Sequence, residues 1–273
     1  MNIFDVVLIQ PILNLLLFFN FVFSFIHFPF SLGFAIIFLT IFVRLILAPL
    51  TASQLKSALK TSELRPKLAE LQKRFAHDKQ ALARAQMELY KQHGVNPAAG
   101  CLPLVLQIPV FIALYNVLLR VLASNGDLSS VNQLAYLPFL TVSEVLDLNF
   151  FGFSLAAKPV DFGKLGIHLL LVPPVTAALQ YWQSKMMMPQ ISKPEKAQNK
   201  KETKPDTMEA LTQLQSQMTW LMPAMIGFFS FSFPVGLALY WNIFTVFGVV
   251  QQYWVTKKLR FSNFFKLQND KKN

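Results

Sequence analysis

The sequence predicts an all-α integral membrane protein of five transmembrane helices, with a cytoplasmic helical hairpin and an N-terminal interfacial helix. Three observations predict it. Of 273 residues 53% are hydrophobic and only 14% charged, too few charges to cover a soluble domain of this size. No Asp, Glu, Lys or Arg occurs from Val6 to Val43, and long apolar runs recur near 98–119, 165–183 and 217–255, each enough for the roughly 20 residues that a spanning helix needs. The basic residues gather between these runs rather than within them.

The first run is too long for one crossing, and Asp5, Gln10, Pro11, Asn14 and Asn20 interrupt its first half. Residues 3–20 are therefore expected to lie along the membrane surface, within an extracytoplasmic segment 1–27, and 28–50 to form the first crossing. No Lys or Arg precedes the apolar stretch and no small-residue cleavage site follows it, so a secretory signal peptide is not expected. The single cysteine, Cys101, excludes an internal disulfide or a CxxC site and reads as a small apolar helix residue.

Three basic blocks set the topology. They are 51–97 (Lys56, Lys60, Arg65, Lys67, Lys73, Arg74, Lys79, Arg84, Lys91), 185–204 (Lys185, Lys193, Lys196, Lys200, Lys201, Lys204) and 257–272 (Lys257, Lys258, Arg260, Lys266, Lys271, Lys272). The intervening 124–164 leans acidic, with Asp127, Glu144, Asp147 and Asp161 against Lys158 and Lys164. By the positive-inside rule the basic blocks are cytoplasmic. The expected order is N-terminus out, span 28–50, cytoplasmic hairpin 51–97, span 98–122, outer loop 123–164, span 165–184, cytoplasmic loop 185–215, span 216–232, span 236–255 and a basic cytoplasmic tail 256–273. Phe233-Pro234-Val235-Gly236 is expected to make the tight turn between the last two spans.

In the first loop Leu64, Leu68, Leu71 and Phe75 recur at helical spacing, as do Leu82, Ala85 and Leu89 after a break at Ala76-His77-Asp78. This predicts a helix pair ended by Gly94 and Pro97. It reads either as a solvated charged pair or as a basic surface for lipid headgroups, a ribosome or an incoming polypeptide. The second loop, rich in Lys, Pro and Glu, is expected to be disordered at its centre.

No Walker loop, HExxH or GxSxG occurs, and the four histidines (27, 77, 93, 168) share no ligand spacing, so neither an enzyme nor a cofactor is expected. The polar residues inside the spans carry more information. Thr40 and Arg44 lie four apart; Thr176, Gln180 and Gln183 line one face of the third span; Asn242, Thr245 and Gln252 follow in the fifth; Gln107 stands between Pro103 and Pro109. Such faces should turn inward, toward one another or a wet cavity. Arg44 lies about six residues from the cytoplasmic end, roughly 9 Å at about 1.5 Å per residue. It either snorkels to the inner headgroups or faces that cavity. Met186, Met187 and Met188, with Met218, Met222 and Met225, read as packing or as an adaptable apolar surface.

Three stretches, GFAIIFLTIFVRLILAPL (33–50), LYKQHGVNPAAGCLPLVLQIPVFIALY (89–115) and FPVGLALYWNIFTVFGVVQQYW (233–254), resemble the YidC/Oxa/Alb family of membrane protein insertases. The resemblance implies five transmembrane helices around a hydrophilic groove open to cytoplasm and lipid. It implies that Arg44 makes the groove positive and attracts the acidic outer segment of a client, and that Gln107, Gln183 and Trp241 line it beside Thr40, Gln180 and Asn242. The hairpin 52–93, with Lys56, Lys60, Arg65, Lys67, Lys73, Arg74 and Lys79, resembles the family's client-receiving hairpin. Nascent membrane proteins would be the clients, in the bacterial cytoplasmic (inner) membrane, with a Sec-type channel, the ribosome and anionic lipids as further partners. The sequence is not expected to hold the extra first span and large periplasmic domain of the family's Gram-negative form or the lipoprotein cysteine of many Gram-positive forms, and its tail is short. An anion transporter using Arg44, and a structural assembly factor, are the competing readings; the transporter lacks the expected internal repeats.

Overall fold

The structure, a computed structural model, describes residues 3–76, 78–94, 102–122, 128–142, 146–187 and 207–270. The described chain is almost wholly helical. A π-helical turn, Asp5–Ile9, leads into α1 (Gln10–Phe25), followed by α2 (Ser31–Glu63), α3 (Arg65–Arg74), α4 (Lys79–Gln92), α5 (Leu102–Leu122) and the short α6 (Ser129–Asn132). A two-stranded antiparallel ribbon, β1 (Asn149–Phe150) and β2 (Phe153–Ser154), comes next, then α7 (Phe162–Leu165), α8 (Val172–Met187), α9 (Thr207–Ser230) and α10 (Val235–Asp270). Among the described residues three helical stretches are long and apolar enough to cross a membrane: Asp5–Phe25, Ser31–Thr61 and Val235–Lys257; Gln107–Leu122 and Thr219–Ser230 are shorter apolar runs.

The chain divides into two compact units. The first comprises Met1–Leu45 and Pro109–Val249. Its core joins Leu13 and Leu16 of α1, Leu32, Ile36 and Leu39 of α2, Leu114 and Leu118 of α5, and Leu237 and Tyr240 of α10, all essentially free of solvent. Asn14, which interrupts the apolar pattern, is buried at the price of three hydrogen bonds: its Nδ2 donates to Gln10 O and Leu134 O (both 2.8 Å), and its Oδ1 accepts from Tyr136 N (2.6 Å). An interruption in the sequence is thus a pin to the segment after α6. Arg120, outside the three basic blocks, approaches Asp5 at 3.8 Å.

The segment between α5 and α8 is built rather than loose. Phe151 and Gly152 both have positive φ (49° and 85°), the requirement of a two-residue turn matched to strand twist, and Phe150 packs so closely on Gly33 that any β-carbon there would overlap its ring. Val235 N donates to Ala157 O and Gly236 N to Leu155 O (both 2.8 Å), so the orphan amides of the α10 N-terminus are capped by this segment. That corrects the expected turn. The reversal lies at Phe231–Pro234, and Gly236 is already helical; its missing side chain admits Leu122 and the Leu155 carbonyl.

Other boundaries differ from the sequence reading. Helix α2 runs on past Pro49 to Glu63, because Pro removes one ladder bond without ending a helix that its neighbours support. Helix α9 begins at Thr207, inside the loop expected to end at 215, and α10 extends to Asp270 through the expected tail. The centre of the 185–215 loop, Val95-Asn96-Pro97, Cys101 and Met188 lie outside the described residues.

The second unit comprises Ile46–Ile108 and Val250–Asn273. In it α3 and α4 form an antiparallel pair closed by Leu64, Leu68, Tyr90 and partly Leu89. Asp78 caps α4, its Oδ1 accepting from Ala81 N (2.9 Å), and Gly94 ends the helix at φ +60°.

Candidate functional site

Arg44 and Thr40, one turn apart on α2, are both buried, 7% and 1% exposed. Thr40 spends its hydroxyl on its own helix, donating to Ile36 O (2.6 Å). Arg44 cannot do this, since a guanidinium carries five donors and no acceptor. Its Nη2 donates to Phe244 O of α10 (2.6 Å), its Cζ lies 3.3 Å from the centroid of the Phe244 ring and 5.8 Å from that of Phe247, and its Nε is buried with no acceptor. A cation held by a carbonyl and two aromatic faces is only partly compensated for its lost water.

The α8 stripe faces α10. Gln180 Oε1 accepts from Trp241 Nε1 (3.2 Å) and lies 3.4 Å from Thr245 Oγ1, which also reaches Trp241 O (2.8 Å). One turn further, Gln183 meets Arg44 over the bare backbone of Gly248: a β-carbon there would collide with Gln183 Nε2 and stand 2.9 Å from Arg44 Nη2. Trp241 also packs edge-on against Phe111 of α5 (5.2 Å, 87°). It borders an apolar cavity of about 180 Å³ shared with Thr176, Phe229 and Leu237.

Arg44, Gln180, Gln183 and Trp241 are therefore brought together along the α8–α10 contact, with Thr40 on the same α2 face. Asn242 is not among them. Its Oδ1 is buried without a partner, and it lines a separate cavity of about 260 Å³ with Phe150, Phe153, Val172 and Leu239. Next to Trp241 in sequence, it points roughly 100° away around the helix. Gln107 belongs to the second unit, where it is half-buried. In that unit Gln251 Nε2 donates to Ala48 O (2.9 Å) and Thr51 Oγ1 (2.6 Å), while both amide atoms of buried Gln54 lack partners.

Of the hairpin residues, Lys56, Lys60, Lys73 and Arg74 are exposed. Lys67 donates to His93 Nε2 (3.0 Å), linking the start of α3 to the end of α4. Only the backbones of Arg65 and Lys79 are described. Sequence reasoning missed Phe244 and Gly248, since neither carries a polar side chain; the one signal is their spacing of four on α10.

A mostly helical protein with helices apolar enough to cross a membrane and a buried, incompletely hydrogen-bonded arginine close to Gln183 defines the class. The chain belongs to the 60Kd inner membrane protein family, whose profile matches residues 21–262; this is the YidC/Oxa/Alb family that its three sequence stretches resemble. It is 32% identical over 212 residues to a membrane protein insertase YidC of Oceanobacillus iheyensis, covering 74% of this chain and 66% of that one. It is 31% identical over 252 residues to the YidC of Geotalea uraniireducens (92% of this chain, 38% of that one) and 30% identical over 228 residues to that of Helicobacter pylori (84% and 33%). The chain thus spans about a third of the length of the latter two relatives and about two thirds of the first.

Proposed function

We propose that this protein is a membrane protein insertase and chaperone that takes client transmembrane segments from the cytoplasm into the bilayer along a positively charged, lipid-open groove. The observation that carries this reading is Arg44, 7% exposed with Nε unsatisfied, on a helix apolar enough to span the membrane. A cation in low dielectric attracts an anion more strongly than a surface charge does, and an acidic client segment supplies the missing acceptor. The glutamines beside it offer hydrogen bonds to polar client residues that would otherwise meet hydrocarbon bare. No nucleotide enters this scheme: burial of the client's apolar helix releases about 25 cal/mol per Å².

In the same reading five spans cross the membrane, with the α3–α4 pair inside and the segment between α5 and α8 outside; Lys56, Lys60, Lys73 and Arg74 would meet clients, anionic headgroups or the ribosome. The N-terminal helix lies along the outer surface. What supports this is the placement of its ends. Residues 26–30 join it directly to the start of α2, and Asp5 reaches Arg120, two residues from the end of α5. A β-carbon at Gly236 would meet both Leu122, the last residue of α5, and Ile36, in the second turn of α2, so the α5 end lies near the first turns of α2. A helix of 21 residues, about 30 Å long, with both ends near one level runs along a membrane rather than through it.

Reconstitution tests the function. Liposomes carrying the protein should insert a short single-span client with an acidic outer tail; Arg44→Lys should retain most of this activity and Arg44→Ala should lose about tenfold, the effect of roughly 1.4 kcal/mol. Equal insertion into empty liposomes would sink the insertase reading. Equal activity of wild type and Arg44→Ala would sink the role of the arginine.

A further inference from the structure

Helix α10 does more than face Arg44. The Phe244 carbonyl that accepts from Nη2 is the same group that the helix ladder uses for the Gly248 N–H, so the guanidinium is bonded to a carbonyl already in use. The Phe244 ring lies at 3.3 Å under Cζ, which fixes the plane of the guanidinium as well as its place. Gly248 leaves the gap through which Gln183 and Arg44 both approach the helix. Bond, ring and gap all act on one side chain.

We propose that Phe244 and Gly248 are positioning residues that latch Arg44 flat against α10, with one amino group spent on the Phe244 carbonyl and the other turned to an incoming carboxylate. The selectivity for acidic client tails, which rests on the insertase reading, is then set by α10 and not by the arginine alone. Removing the ring frees the guanidinium to swing. Adding a methyl at Gly248 pushes it off the helix together with the Gln183 amide. Both obstructed atoms are the far ends of flexible side chains, so the substitution displaces them while the backbone stays in place.

Two measurements on the full chain in liposomes test this. The first is modification by phenylglyoxal, an arginine-selective reagent, read by mass spectrometry as the rate at Arg44 relative to Arg120. Phe244→Leu and Gly248→Ala should each raise that ratio about threefold or more, the effect of losing a partly desolvated cation–π contact, whereas Phe244→Tyr, which keeps the ring, should match wild type. Wild-type labelling in both Phe244→Leu and Gly248→Ala would overturn the latch. The second is the ratio of initial insertion rates for two clients that differ only in Asp or Asn in the outer tail. That ratio should fall several-fold in Phe244→Leu and Gly248→Ala and recover in Phe244→Tyr. An unchanged ratio, including equal loss for both clients, would overturn the proposed selectivity role. If the wild-type chain inserts neither client while the labelling changes as expected, the insertase reading fails and the latch stands.

Discussion

At the scale of single residues, a polar side chain in an apolar helix carries information only when its partners are known. Asn14 shows why. In sequence it marks α1 as a poor span; in the fold it bonds to Leu134 and Tyr136, some 120 positions away, which no local pattern could reveal. Replacing it by the similarly sized leucine leaves the part-buried Leu134 carbonyl and Tyr136 amide without these partners, at up to about 1 kcal/mol for each group. We expect Asn14→Leu to lower the thermal midpoint in detergent and to speed hydrogen exchange at the Tyr136 amide while exchange in α10 stays unchanged. Unchanged exchange at Tyr136 would remove the pin. Arg44, Gln180 and Gln183 were legible because charge and amides are rare in apolar runs, whereas Phe244 and Gly248 were hidden because an aromatic ring and a missing side chain look like ordinary helix filler.

At the scale of elements, hydropathy located the helices but not their ends. It could not say that α2 passes Pro49, that α9 starts at Thr207 or that Gly236 is helical, since those facts follow from neighbours. Nor did it show the β1–β2 ribbon, each strand of which is two residues long. The α8–α9 contact makes the same point through Gly227. A β-carbon at Gly227 would stand 2.7 Å from Ala177 Cβ and 3.4 Å from Pro173 O, so the two helices meet across small residues, as helices without a hydrophobic driving force between them do. Alanine at that position gains up to about 1 kcal/mol of helix propensity but overpacks the crossing by about 1–3 kcal/mol, so the net sign is destabilising. Gly227→Ala should melt earlier than wild type, Gly227→Leu earlier still, and Ala177→Gly combined with Gly227→Ala should recover part of the loss. Additive losses in that double variant would show that the two residues do not share a contact.

At the scale of the whole molecule, charge distribution and helix placement bear on topology independently, and α1 is where they can be set against each other. By length and hydropathy alone Asp5–Phe25 could cross the bilayer, which would send residue 3 to the cytoplasm. In the proposed arrangement the ion pair of Asp5 with Arg120 and the short link to α2 would instead keep both ends of α1 outside. Residues 1–30 hold no Lys or Arg, so within them the positive-inside rule has nothing to weigh at either end of α1. Cysteine labelling decides. In a Cys101→Ser background, which removes the single native thiol, Phe151→Cys and Glu70→Cys calibrate the two sides, both positions being exposed. A membrane-impermeant maleimide should modify Phe151→Cys in intact spheroplasts and Glu70→Cys only in inverted vesicles. Ile3→Cys, 85% exposed, should behave as Phe151→Cys does. Labelling of Ile3→Cys only in inverted vesicles would make α1 a sixth crossing and would place the Asp5–Arg120 pair on the cytoplasmic side. That outcome would also reverse the assignment of the α5 end, so one reagent tests the surface helix and the orientation of the spans together.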